Sequence, residues 1–320
     1  MGAFLIRRLI GAVLVCIAVT FIVFIIFILV PGGGASGTAQ RIAGKNATPE
    51  LIKSVEHTWG FDRPVYVQYW KLMKKMFTNK LVSYTSQQNV ISQIVQGMPA
   101  TFSLTIGAGI IWLFFGILVG VISAVTAGRL SDRVITVLAL IGISMPVFWL
   151  GIITRYYLAE GGITTLFPDG EYVGILSNPL QWFWHLLLPW LVLAVLFIGF
   201  YGRVLRGNIL DAINEDYVRT AKAKGLAPRR ILVKHVLRTS LIPIVTLFGL
   251  DFAGVLGGGA ILTESVFDLH GVGQYAKDSI NNFDLPPIMG VTMYGAFFIV
   301  CFSVIVDLFY AYLDPRIRPT

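Results

Sequence analysis

Apolar positions in this chain fall in long unbroken runs, and the polar positions gather between them. A run such as "FIVFIIFILV" offers no polar side, so the pattern predicts helices that are apolar all round. About 20 such residues span roughly 30 Å of hydrocarbon. Six spans are predicted, at Leu9–Val30, Ala100–Ala127, Val134–Leu158, Trp182–Tyr201, Leu241–Leu262 and Pro287–Tyr312. A membrane β-barrel requires ten-residue segments of alternating polarity, which these runs are not. The predicted fold is therefore all-α: a polytopic membrane bundle of six helices with an extracytoplasmic helical segment between the first and second.

The first run follows Arg7 and Arg8 and precedes "PGGGASGTA", a layout that a cleaved signal peptide also shows. Its uninterrupted length exceeds the 7 to 15 residues usual for a signal core, which favours retention as a span. The boundaries divide the chain into an N-terminal span (1–30), an extracytoplasmic segment (31–99) and a five-span core (100–320) with a cytoplasmic loop at 203–240.

Composition supports this class. The chain is 56% hydrophobic and 13% charged, with a mean hydropathy of +0.75, too little polar surface to cover a water-soluble globule. Net charge is +8, and nine of the 25 Lys and Arg residues lie between Arg203 and Arg238. Placed inside with Arg7, Arg8, Arg129, Arg133, Arg316 and Arg318, they put both termini in the cytoplasm. Charge beside a membrane reads as topology and lipid attraction, not as nucleic-acid binding. Cys16 and Cys301 both fall inside predicted spans, so no disulfide is expected.

The loops carry the remaining signals. Between spans one and two, "PGGGASGT" predicts a flexible start. Thr48 then caps a helix that Gly60 ends, and Pro64 opens a second helix bearing Tyr66, Tyr69 and Trp70. That aromatic row suits an interfacial belt or a docking rim. In the basic loop, Gly225 ends a helix begun near Asp216 and Pro228 starts the next. Tyr217, Ala221 and Gly225 share one face of the first helix, and His235 lies one turn beyond Ile231 on the second. Such a loop can lie on the bilayer or be offered to a soluble partner.

Within the spans, Gly116, Gly120, Ala124 and Gly128 recur every four residues, as do Gly249, Ala253 and Gly257, a spacing that lets helices approach closely. The glycines at Gly254, Gly257 and Gly258 also suit a gating bend. Asp251 is a carboxylate near mid-span, where it either lines a wet path or makes a structural hydrogen bond. No phosphate-binding loop is present, since "AQRIAGKN" lacks the first glycine and the final hydroxyl, and no HExxH or GxSxG occurs.

"DYVRTAKAKGL" followed by "KHVLRTSLIPIVT" resembles the cytoplasmic coupling loop of ATP-binding-cassette importer permeases, in the oligopeptide and dipeptide branch, first permease subunit of the pair. Similar stretches run along the chain: "GFDRPVYVQYW", "PATFSLT", "SDRVITVLALIGISMPVFWLG", "GGAILTESVFDLHGVGQYA" and "DLFYAYLDPRIR". Of the general permease signature only Ala221, Gly225 and Leu237 match, and "TNKLVSYTSQQNV" stands where the branch has Gly-Asp-Leu-Gly.

The resemblance implies a bacterial inner-membrane transport subunit without covalent chemistry of its own. Its expected partners are a second permease subunit, two ATPase subunits that carry ATP and Mg²⁺, and an extracytoplasmic substrate-binding protein. It assigns ATPase coupling to Asp216, Tyr217, Arg219, Thr220, Ala221, Ala223, Lys224, Gly225, Leu226, Ile231 and His235. It adds Glu264 and His270, in the matched stretch after span five, to Asp251, Gly254, Gly257 and Gly258, which the span itself offers, as the candidate pathway or gate. Short peptides are the expected cargo, with nickel chelates, glutathione or oligosaccharides as alternatives within the same branch. A self-sufficient secondary transporter would show paired inverted repeats, and a membrane-anchored enzyme would need a nucleophile near His57. Neither is evident.

Overall fold

Helix α1 (Gly2–Leu29) begins an all-α chain whose computed structural model describes residues 2–29, 34–44 and 47–313. The order continues α2 (Gly34–Ala43), α3 (Pro49–Trp59), α4 (Val65–Phe77), α5 (Val90–Val125), α6 (Leu130–Ser144), α7 (Val147–Leu158) and α8 (Pro179–Ala212). It closes with α9 (Asp216–Ala223), α10 (Pro228–Ile231), α11 (Leu237–Gly254), α12 (Ile261–Val266), α13 (Val272–Asn281) and α14 (Leu285–Leu313). Among the described residues there is no strand, only isolated bridges pairing Val82 with Asn89 and Ala159 with Phe167. Gly32, Gly33, Arg316 and Arg318 lie outside the described residues.

Five described helices are long and apolar enough to cross a membrane, six when α6 and α7 are taken as one span. That pair corrects the predicted third span, Val134–Leu158. The helix breaks at Pro146 and turns by 98°. Proline lacks the N–H that the helix needs and forces Met145 out of helical geometry, to φ −80° and ψ 124°. Helices α5 and α8 overrun their predicted limits instead, beginning ten residues before Ala100 and ending eleven beyond Tyr201.

The chain forms two compact units. One comprises Met1–Thr101, Leu256–Ile261 and His270–Cys301. Its core joins Phe24 of α1, Phe61 of the turn after α3, Leu72 and Met76 of α4, and Met289 of α14. Helix α3 starts and stops where predicted: the Thr48 hydroxyl accepts the Leu51 N–H, and Gly60 adopts φ 76°. The predicted flexible start is wrong, because α2 is helical from Gly34. Its fully buried Ala39 and half-buried Ile42 pack into the same core, and burial of that face overrides the weak propensity of its glycines. Tyr69 points at α1 rather than outward. Its hydroxyl lies 3.0 Å from that of Thr20, and its ring meets Phe21 and Phe24 at 5.4 Å. Tyr66 and Trp70 are exposed.

Asp284, buried just before α14, closes this unit. Its carboxylate accepts the Ser83 hydroxyl at 2.5 Å and the N–H groups of Tyr84 and Thr85 at 3.0 and 3.2 Å. Burial, with that carboxylate nearby, pushes the Tyr84 phenol up from its ordinary value. Asp284→Ala strands three donors, and hydrogen bonds to a charged group contribute about 1.5–3 kcal/mol each when buried. The expected result is faster proteolysis between residues 80 and 89 in the folded protein, read by limited digestion and mass spectrometry.

The other unit comprises Phe102–Val255, Leu262–Leu269 and Phe302–Thr320. Helices α5 and α8 meet along glycines. A Cβ on Gly116 would lie 2.7 Å from the Tyr201 Cβ, and one on Gly120 would lie 2.8 Å from the Leu205 Cβ. Gly128, the last glycine of the predicted stripe, does not pack: it takes φ 80° in the turn after α5, with open space around it. Asp132 at the start of α6 receives Arg206 of α8 through two 2.8 Å bonds, together with the Ser123 hydroxyl and the Gly128 N–H. On the other side of the unit, Arg155 binds Asp169 and the Val266 carbonyl, tying down the loop after α7. That guanidinium holds the Asp169 carboxyl below its usual range.

Candidate functional site

The basic loop is a braced handle. Helix α8 continues to Ala212, α9 follows within four residues, and Gly225 turns the chain at φ 72°. Pro228 occupies the first turn of α10, which passes through a π-helical turn (Leu232–Val236) into α11 without a break. The two long helices are tied at its base, where the Asn208 side chain donates to the Ser240 carbonyl and the Ser240 hydroxyl donates to the Asn208 carbonyl.

Burial divides the predicted coupling residues. Ala221 and Ile231 are buried and, with Val218 and Val236, hold the handle together. This separates Ala221 from Tyr217 and Gly225, with which helical spacing had grouped it, because the interior of the handle takes the smallest side chain. Asp216, Tyr217, Arg219, Thr220, Ala223, Lys224 and Gly225 are exposed, while Leu226 and His235 are half-buried. Arg219 and Asp216 pair at 3.3 Å with both side chains in solvent, an arrangement that contributes little to stability. The surface presented is polar, basic and rigidly supported.

The second candidate element is the glycine run that follows α11. Residues Val255–Gly259 form a π-helical turn in which Gly258 takes φ 135° and ψ −4°. Only glycine adopts that conformation readily. Gly257 packs backbone to backbone on Gly295, so that a Cβ placed on Gly257 would meet the Gly295 carbonyl oxygen at 3.1 Å. Gly254 has open space around it and no packing duty. Gly258→Ala is expected to cost about 1–3 kcal/mol through backbone strain alone, read as a lower melting temperature in detergent, whereas Gly254→Ala leaves it unchanged.

Asp251 is half-buried and accepts a 2.7 Å hydrogen bond from the Tyr201 hydroxyl. Tyr201 is fully buried, as is Trp112, whose ring stacks on Phe197 at 4.4 Å. Glu264 on α12 is fully buried as well. His270 is exposed at φ 55°, and its N–H donates to Gln274 at 2.7 Å ahead of α13. The Asp132–Arg206 and Asn208–Ser240 ties were not anticipated. The only trace of the first was an acid at the very edge of an apolar run.

Residues 1–105 match the N-terminal component family of binding-protein-dependent transport system membrane proteins. Residues 116–319 match the family described as binding-protein-dependent transport system inner membrane component. This chain belongs to that family. The permease is similar over nearly its whole length to curated relatives. A probable peptide ABC transporter permease of Sinorhizobium fredii is 34% identical over 99% of this chain and 100% of its own. The probable D,D-dipeptide transport system permease DdpB of Escherichia coli is 35% identical over 97% of this chain and 96% of its own. Among solved structures, the inward-facing MetNI methionine ABC transporter aligns with a TM-score of 0.56 at 17% identity, over 70% of this chain and 97% of that one. That likeness supports the all-α permease fold. The permease is thus a multi-pass inner-membrane component of an ABC transport complex, a transport subunit and not an enzyme.

Proposed function

We propose that this permease forms half of a translocation pathway for short peptides, paired with a second permease subunit. An extracytoplasmic binding protein delivers the cargo, and two ATPase subunits that hold ATP and Mg²⁺ drive the cycle. The observation that carries the peptide reading is end-to-end similarity to relatives named as peptide and dipeptide permeases. The handle formed by α9 and α10 is the contact with the ATPases. Coupling needs a rigid element whose contacts differ between two states, and a handle with a packed interior and an exposed polar face meets the first requirement. Clustering of Lys and Arg around it supports a cytoplasmic position for the handle and for both termini. The break at Gly257–Gly259 then serves as the flexible point of the pathway.

The test is ATP hydrolysis by the intact complex in nanodiscs, with and without binding protein and a short peptide. The permease carries Ala223→Trp, an exposed helical position where bulk blocks docking without disturbing the fold. Loss of at least tenfold of the peptide-stimulated rate, with assembly preserved, supports the coupling role. Unchanged stimulation removes the exposed face of α9 from the contact. Stimulation by non-peptide solutes alone overturns the cargo assignment.

A further inference from the structure

At the C-terminal end of α1 the first unit encloses a narrow cleft with two kinds of wall. Its floor is membrane helix, made by Phe24, Phe27 and Ile28. Its rim is cationic, with Arg41 from α2 and Lys71 and Lys75 from α4. Packing puts the cations there. Ala39 seats α2 in the core, and Leu72, Met73 and Met76 seat α4, leaving Lys71 and Lys75 one turn apart beside the buried row.

Among the described residues no carboxylate pairs with these charges, and Asp62, in the loop just past α3, is taken by His57. Arg41 instead lies 4.2 Å over the Phe283 ring, and Lys75 lies 5.7 Å from the Trp59 ring. An aromatic face holds a cation in place and leaves its N–H donors free for an anion. Lys71 alone has a structural explanation, because its ammonium sits against Gly60 at the carboxyl end of α3, where the helix dipole attracts it.

Size and surroundings select the anion. The enclosed part of the cleft has about 40 Å³ of room, enough to admit a phosphate-sized group, and the cleft opens to its surroundings for the rest of a larger ligand. What lies outside is the flank of α1, where Phe21, Ile22 and Ile26 are exposed. The exposed Tyr66 and Trp70 on α4 mark headgroup depth. A water-soluble anion has no use for an apolar floor that runs on into a membrane span, but a phospholipid does. We propose that this cleft binds the phosphodiester of an anionic phospholipid, with its acyl chains lying along α1. The lipid fastens the outer helices to the bilayer surface.

The test uses the whole complex in nanodiscs of phosphatidylcholine doped with phosphatidylglycerol, released and followed by native mass spectrometry. Wild type is expected to retain phosphatidylglycerol over phosphatidylcholine by at least tenfold. Arg41→Gln/Lys71→Gln/Lys75→Gln is expected to lose that preference, at roughly fivefold per cation. The proposal fails if wild type retains both lipids equally or if the triple variant retains phosphatidylglycerol as wild type does. It also fails if inorganic phosphate displaces the lipid completely, which makes the cleft a free-phosphate site. Should the triple variant not assemble, the lipid preference of wild type decides the question alone. None of these readouts depends on which solute the permease carries.

Discussion

Gly120→Leu is expected to remove folded permease from the membrane. A Cβ at this position would already stand 2.8 Å from the Leu205 Cβ and 2.9 Å from the Gly202 carbonyl oxygen, and the remaining atoms of leucine have nowhere to go. The obstacle is partly backbone, so side-chain rotation cannot relieve it. The contact is also reciprocal, since a Cβ on Gly202 would meet Val119 at 2.6 Å. Between helices in lipid the hydrophobic drive is absent, and close packing does most of the work of association. Overpacking costs about 1–3 kcal/mol in ordinary cores, and a clash against backbone belongs at or above the top of that range. Gly207→Leu on the facing helix α8 is the control, because nothing lies within 4 Å of its Cβ position. The measurement is the yield of monodisperse protein in detergent and its melting temperature. Equal behaviour of the two variants would mean that α5 and α8 are not held by this crossing.

Arg206→Ala is expected to lower the melting temperature, and by more than Asp132→Asn/Arg206→Ala together. Asp132 is 5% exposed at its side chain and Arg206 is 32% exposed, so removing the arginine leaves a carboxylate in a site that water barely reaches. Breaking a buried pair from one side costs about 3–5 kcal/mol, whereas replacing both partners by neutral groups is far milder. Partial exposure of Arg206 makes the loss smaller than for a fully buried pair while keeping its sign. In the double variant the asparagine carbonyl takes the Gly128 N–H in place of one carboxylate oxygen, and its amide donates to the Ser123 hydroxyl in place of the other, so neither group is stranded. A double-variant cycle by thermal unfolding in detergent checks this. If the double variant is as damaged as Arg206→Ala alone, the uncompensated charge is not the cause.

What was legible in the sequence was local. Gly60 and Gly225 take left-handed turns, and Thr48 and Pro228 open helices as their residue types require, because turn chemistry is settled within four or five residues. Spans were legible from apolar length alone, but the bend at Pro146 was masked by hydropathy that stays high on both sides of it. Helix α2 was missed because its glycines argue against a helix, and only the core that receives Ala39 argues for one. The handle's turn was readable, but its exposed face was not. Ala221 and Tyr217 sit one turn apart on the same helix, and what separates them is packing against Val218 and Ile231. Arg206 and Asp132 are 74 positions apart, with no spacing rule to link them.

The bond between Ser83 and Asp284 joins residues 201 positions apart, and that separation sets a timetable. Chains enter the membrane as they are made, N-terminal parts first. At about 5–20 residues per second, roughly 10–40 s pass between the appearance of Ser83 and that of its acceptor. Throughout that interval the segment after α4 has only its own internal hydrogen bonds and water in place of Asp284, and part of the core it belongs to has not been translated. The outer helices therefore mature last although they are made first. Chains truncated before residue 284 should arrest with this segment open to protease, which makes the N-terminal third of the permease the late step of its own biogenesis.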